Sequence, residues 1–236
     1  MKIQCVWEHN GDDSILYSAN FVGAFTRGKS KDEAVRKMPS EILSYLAWKG
    51  DAPPDALEPE IVQEKASAIT VSDADSDVLF NDEKAPLTAA EYEALKSLAM
   101  KSARDFLALY RSIPDKDKSA LPPRATFYGE IPRTAREMYN HTKNVNTYYF
   151  GEIGVQADNS GTIAECRERG FALLERQRDF LENQVFLGSY DEEWSLRKVL
   201  RRFIWHDRIH AKAMYRMALK TFGTGAVPNI FFFPDK

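Results

Sequence analysis

The stretch Glu192–Thr221, EEWSLRKVLRRFIWHDRIHAKAMYRMALKT, decides how the chain is read. Its apolar positions Leu196, Val199, Phe203, Ala213 and Met217 recur at three- and four-residue spacing, the period of an amphipathic helix. His206 and His210 fall on the same stripe, so one turn separates them on one face. Gly223 follows the run where a helix-ending glycine belongs. Upstream, Thr134–Gly154 shows the same period through Met138, His141, Val145 and Tyr148. A helix facing the first would bring His141 to the pair. Three neutral imidazoles suit zinc, nickel or iron, and they leave a coordination position open for water or substrate. Structural zinc normally has four protein ligands, so the set predicts a reactive metal.

Unrelated core or surface histidines would give the same letters, and the four-residue spacing alone is common. Against that alternative, three imidazoles inside a helical core without a shared purpose would each cost desolvation. A metal-bound imidazole usually gives its second N–H to a carboxylate or carbonyl. Glu137 and Asp207 are the candidates for that role, although Glu137 also completes a helix cap and Asp207 can point to solvent. Arg202, one turn before His206, is placed to reach an anionic substrate or simply to lie on the surface. Tyr148 and Tyr149 read as core. His9, beside Asn10-Gly11, reads as a solvated turn residue.

Working outward, four Thr/Ser-x-x-Glu capping patterns stand at Thr88, Thr134, Thr162 and Ser189, each at the head of an apolar-periodic run. Four such runs predict a four-helix bundle. The connection Pro114–Pro132 between the first two runs predicts a crossover or a lid. Residues 1–83 read differently. Lys2–Glu8 and Ile15–Phe21 alternate like strands around an Asn10-Gly11-Asp12-Asp13 turn. Ser30-Lys-Asp-Glu33 caps a helix that ends at Asp51-Ala-Pro-Pro-Asp55, and Glu60–Val71 is a third candidate strand. The predicted class is α+β: a small β-β-α-β domain over residues 1–83, then a helical bundle over 84–236.

Composition excludes several classes. The chain has 236 residues, 44% of them hydrophobic, enough to build a core without disulfides. Its formal net charge of −3 argues against nucleic acid as a partner. The basic cluster Arg197-Lys198 and Arg201-Arg202 reads as a solvated helix face. Cys5 and Cys166 form no Cys-x-x-Cys pair, and no run is long and apolar enough for a membrane span or a signal peptide. A cytoplasmic protein with a small-molecule substrate, no nucleic acid and no membrane is the expectation, with a homodimer also open. The tail Pro228–Pro234, rich in phenylalanine, is too apolar to stay free and should pack on the bundle or a partner chain.

Two resemblances follow from these residues. Pro132-Arg-Thr-Ala-Arg-Glu-Met-Tyr-Asn-His141 and Phe203-Ile-Trp-His206-Asp-Arg-Ile-His210 make residues 84–223 similar to the DinB/YfiT family of metal-binding four-helix bundles. That resemblance implies His141, His206 and His210 as ligands of a divalent transition metal: zinc, nickel or iron. It also implies a thiol-dependent S-transferase that uses a low-molecular-weight thiol. The catalytic group would then be a thiol or water at the metal's open position; a metal-assisted hydrolase uses the same position. Many relatives follow the last histidine with a histidine-x-glycine-glutamine stretch, where this chain has Ala211-Lys-Ala-Met-Tyr215. Asn20–Ala34, with the strand–helix outline around it, resembles the HicB-like fold. No DNA-binding helix-turn-helix accompanies it, which implies a binding, lid or dimerisation module. A non-enzymatic binding or regulatory protein acting through that module is the competing expectation.

Overall fold

The computed structural model describes residues 1–11, 13–73, 75–126 and 129–234. Strands β1 (Lys2–Asn10), β2 (Asp13–Ser18) and β3 (Phe25–Gly28) lead into helix α1 (Lys31–Lys49), and strand β4 (Glu58–Ala66) follows. They form one sheet in the order β3-β2-β1-β4, antiparallel except for the parallel β1–β4 pair. Asn10 pairs with Asp13 across a turn in which Gly11 takes φ 57°; Asp12 of the expected turn lies outside the described residues. The unit is β-β-β-α-β rather than β-β-α-β. Strand β3 is only four residues long and sits between Gly23 and the Gly28-Lys-Ser turn, so its sequence reads as loop. Ser30 caps α1 as expected, accepting from the Glu33 amide, whereas Glu33 reaches back one residue further, to the Lys29 amide.

Both faces of the sheet are covered, so strand β2 is buried at Ile15, Leu16 and Tyr17 alike. Ile3, Cys5 and Leu16 face the core that α1 fills with Met38, Ile42 and Tyr45. Val6, Ile15, Tyr17 and Phe25 pack with Val71, Val78, Phe80 and Trp205. Trp205 belongs to the last helix, and its ring stands edge-on to both Tyr17 and Phe25.

That last helix, α5 (Leu196–Phe222), packs with α2 (Ala89–Ser112) and α3 (Ala135–Gly151), and α4 (Ile163–Leu174) closes the group against α2 and α3. Thr88, Thr134 and Thr162 cap their helices with the expected glutamates. The fourth expected cap fails. Ser189–Asp191 is a single 3-10 turn with Tyr190 and Asp191 in the left-handed region, and Glu193–Trp194 pairs with Phe186–Leu187. Helix α5 starts instead at Ser195, whose hydroxyl accepts from the Lys198 amide and donates to the Glu83 carbonyl. The third run is also shorter than expected, because Phe180 and Leu181 sit in a separate turn beyond α4.

Two glycines set close approaches. A Cβ at Gly23 would collide with Ile204 of α5, and one at Gly170 of α4 would overlap the Phe150 ring of α3. The tail does pack on the body of the chain: Phe231 and Phe233 are buried, and Phe231 stacks 5.4 Å from Trp48 of α1. Among the described residues no helix is long and apolar enough to cross a membrane.

Helix α5 is buried on nearly every side, which overturns the expected solvated basic face. Lys198, Arg201, Arg202 and Arg208 are all buried. Lys198 pairs with Glu192, Arg201 with Glu83, and Arg208 with Glu41, which also receives Lys212. Arg167 of α4 pairs with Asp207 through two bonds.

Candidate metal centre

Adjacent packing of α3 and α5 brings the three predicted histidines together. Ring centroids lie 4.4 Å apart for His206–His210, 4.6 Å for His141–His210 and 5.1 Å for His141–His206. One nitrogen from each falls within 4.8 Å of the others, and no fourth ligand joins the group among the described residues. Tetrahedral ligands at ordinary zinc–nitrogen bond lengths sit about 3.3 Å apart. A bound metal would draw the three nitrogens closer than they lie here.

The three differ in burial. His206 is buried, His210 half-buried and His141 exposed, so the cluster is open on the α3 side. His141 thus lies off the inner face on which it was expected. The buried stripe of α3 runs through Met138, Thr142, Asn146 and Tyr149, one position round from His141, Val145 and Tyr148. Two polar residues hide that stripe in the sequence. Thr142 is buried because its hydroxyl donates to the Met138 carbonyl, and Asn146 because its amide donates to the Asp158 and Cys166 carbonyls.

The electrostatics favour neutral rings. Burial, reinforced by the neighbouring His141, pushes His210 down to about 3. Burial first, then His210, His141, Arg202 and Arg167, hold His206 well below the ordinary histidine range. Burial also lowers His141, although the residue as a whole is exposed. Unprotonated imidazole is the ligand form. His206 Nδ1 is buried without a hydrogen-bond partner. A buried nitrogen with no protein partner is costly, and a metal or its ligands would satisfy it. These donors fit a borderline-soft divalent metal.

The expected carboxylate supports lie elsewhere. Glu137 accepts from the Arg133 and Thr134 amides as a helix cap. Asp207 is fully committed to Arg167. Arg202 is neither surface nor a direct partner of the rings. Its guanidinium lies 4.8 Å from the Trp205 ring, 5.4 Å from Tyr149 and 5.6 Å from Trp194. Tyr149 and Trp205 in turn stand 6.0 and 6.1 Å from His206, forming the inner wall of the centre. Tyr149 is core as expected, whereas Tyr148 is half-buried. Sequence reasoning misses Trp194 and Trp205; Trp205 has one signal, its three- and four-residue spacing from Arg202 and Arg201, and Trp194, which precedes α5, has none. His9 lies within strand β1, stacked 4.0 Å over Trp7 and paired with Glu64, so it is not a free turn residue.

No protein-family model, curated protein or solved structure matches the chain.

Proposed function

We propose that the chain is a metal-dependent enzyme of the DinB/YfiT type, with His141, His206 and His210 as ligands and a low-molecular-weight thiol as co-substrate. One observation carries it: three imidazoles from two adjacent helices meet, His206 Nδ1 is buried without a partner, and no fourth ligand joins them among the described residues. A divalent metal bound there would supply Lewis acidity at its open position, lowering the pKa of a thiol or water placed at it.

The chain's own residues suit an anionic ligand at that position, which a thiolate supplies. All three ligands are neutral, and Glu137 and Asp207 are engaged away from the rings. Among the described residues no carboxylate joins the three rings, so an anionic group such as a thiolate would complement a divalent ion bound there. Tyr149 and Trp205 keep water from the inner side of His206. The exposed His141 leaves the outer side open to a small-molecule substrate. The N-terminal α/β unit, HicB-like in this proposal, buttresses α5 through Trp205.

Elemental mass spectrometry on the purified protein tests the proposal, with a His210→Ala variant beside it. The expected result is about one equivalent of transition metal, lost in the variant. Thiol-transfer assays on the loaded protein follow. Absence of metal in both proteins after supplying zinc, nickel and iron(II) would overturn the proposal.

A further inference from the structure

Five buried cations lie in or against α5, and four of them have a carboxylate: Arg167 with Asp207, Lys198 with Glu192, Arg201 with Glu83, and Arg208 with Glu41. Arg202 is the exception: among the described residues it has no carboxylate within ion-pair distance. Its Nη1 donates to the Ser76 carbonyl at 3.1 Å, its guanidinium lies 5.4 Å from the Tyr149 ring, and its Nε is buried without a partner. Glu192 and Glu8 act on Arg202 from a distance but neither bonds to it: Glu192 pairs with Lys198, and Glu8 accepts from the Ser67 and Ser76 hydroxyls and the Asp77 amide. Removing the counter-ion of a buried charge is normally costly, on the order of several kcal/mol. An unpaired guanidinium next to a reactive centre therefore calls for an anion from outside the chain.

Its surroundings carry the same signature. The indole N–H groups of Trp194 and Trp205 are also buried and unpartnered, and both rings lie against the Arg202 guanidinium. Indole N–H and guanidinium N–H only donate. Three unfilled donors, one of them on a guanidinium that bonds no carboxylate among the described residues, match a group that only accepts and carries negative charge. A carboxylate has both properties, and it forms the strong charge-assisted bonds that arginine favours.

We propose that Arg202, flanked by Trp194 and Trp205, is the binding site for a substrate carboxylate, one helical turn from His206. The substrate of the metal centre is thus a carboxylate-bearing small molecule, anchored at Arg202 and presented to the histidine cluster. This rests on the three-histidine centre being a metal site.

The test uses the full-length protein loaded with cobalt(II), whose sulfur-to-cobalt absorption reports thiol binding. Two carboxylate thiols, 3-mercaptopropionate and 4-mercaptobutyrate, are compared with the neutral 2-mercaptoethanol. Wild type should bind a carboxylate thiol about tenfold or more tighter than the neutral one. Arg202→Met should erase that preference with cobalt content unchanged. Trp205→Phe, which keeps the ring and loses the donor, should reduce it a few-fold. Equal binding of charged and neutral thiols by wild type would overturn the proposal and leave the metal centre standing. A preference that survives Arg202→Met would overturn it as well. If Arg202→Met does not fold, Arg202→Lys and Trp205→Phe replace it, and an unchanged preference in both overturns the proposal. If wild type takes up no cobalt, the metal assignment fails, and calorimetric titration of the metal-free protein with butyrate decides the anion site. Saturable binding weakened in Arg202→Lys would uphold it, and no binding would overturn it.

Discussion

Asp207 separates two accounts of α5. If it oriented His206, its loss would weaken metal binding by roughly 10–100-fold and leave the fold intact. The structure assigns it to Arg167 instead, with both side chains almost wholly buried and Arg167 Nη2 3.0 Å from Oδ1. Arg167 Nη1 also donates to the Ala99 carbonyl, and its Cζ lies 4.2 Å from the Phe203 ring, so the guanidinium cannot leave for solvent. Asp207→Ala would strand that charge, at a cost of about 3–5 kcal/mol. Each kcal/mol moves the melting point of a chain this size by roughly 2–4 °C, so a loss of about 6–20 °C is expected. Combining Asp207→Leu with Arg167→Met removes both charges and should recover most of the loss. Differential scanning calorimetry of the single and double variants reads the coupling directly. An Asp207→Ala protein that keeps its melting point but loses metal would refute this reasoning.

Three further outcomes follow from the same contacts. The depressed value of His210, about 3 against an ordinary 6.5, means that the unfolded chain takes up the proton first as pH falls. Stability of the metal-free protein should be full above pH 6.5 and decline below it, by about 2 kcal/mol at pH 5 from this ring alone. His210→Gln should remove that part of the slope in urea unfolding, and identical slopes would discard the assignment. Gly170→Ala should cost about 1–3 kcal/mol through its clash with Phe150, although alanine is the better helix former. A stabilised variant in thermal melts would show that α3 and α4 are not in contact there. Phe231→Ala should cost about 3–5 kcal/mol, while exposed Phe232→Ala should stay within about 0.5; equal melting points would detach the tail from the core.

The parts legible in the sequence were those fixed by local rules. Spacing along one helix placed His206 beside His210, and three Thr-x-x-Glu patterns located helix starts. The missed parts depend on partners distant in the chain. Arg208 is buried because Glu41 meets it from 167 residues away, and Arg201 because Glu83 meets it from 118. Nothing near either arginine reveals this, so both read as surface. Ser195 lost to Ser189 for a different reason: its third following residue is Lys198, which breaks the capping-box pattern, although a serine hydroxyl alone caps the helix. His141 joins the His206–His210 pair from a stripe one position off, because buried Thr142 and Asn146 look polar: Thr142 bonds one turn back, whereas Asn146 donates to the Asp158 and Cys166 carbonyls beyond its helix.

Why α5 carries so many buried charges is then a question of geometry rather than stability. A buried ion pair rarely outperforms apolar side chains of equal volume, so four such pairs around one helix contribute little to net folding energy. What they do fix is direction: a bidentate Arg167–Asp207 pair and the Arg201–Glu83 pair hold α5 against rotation about its axis. Rotation is the motion that would swing His206 and His210 out of register with His141. The apolar double variant Arg167→Met/Asp207→Leu should therefore melt near wild type and yet bind metal more weakly, because a smooth apolar contact resists rotation less. Equal metal affinity in that variant would show that packing alone sets the register. A weaker affinity at an unchanged melting point would show that these buried charges serve the histidine centre.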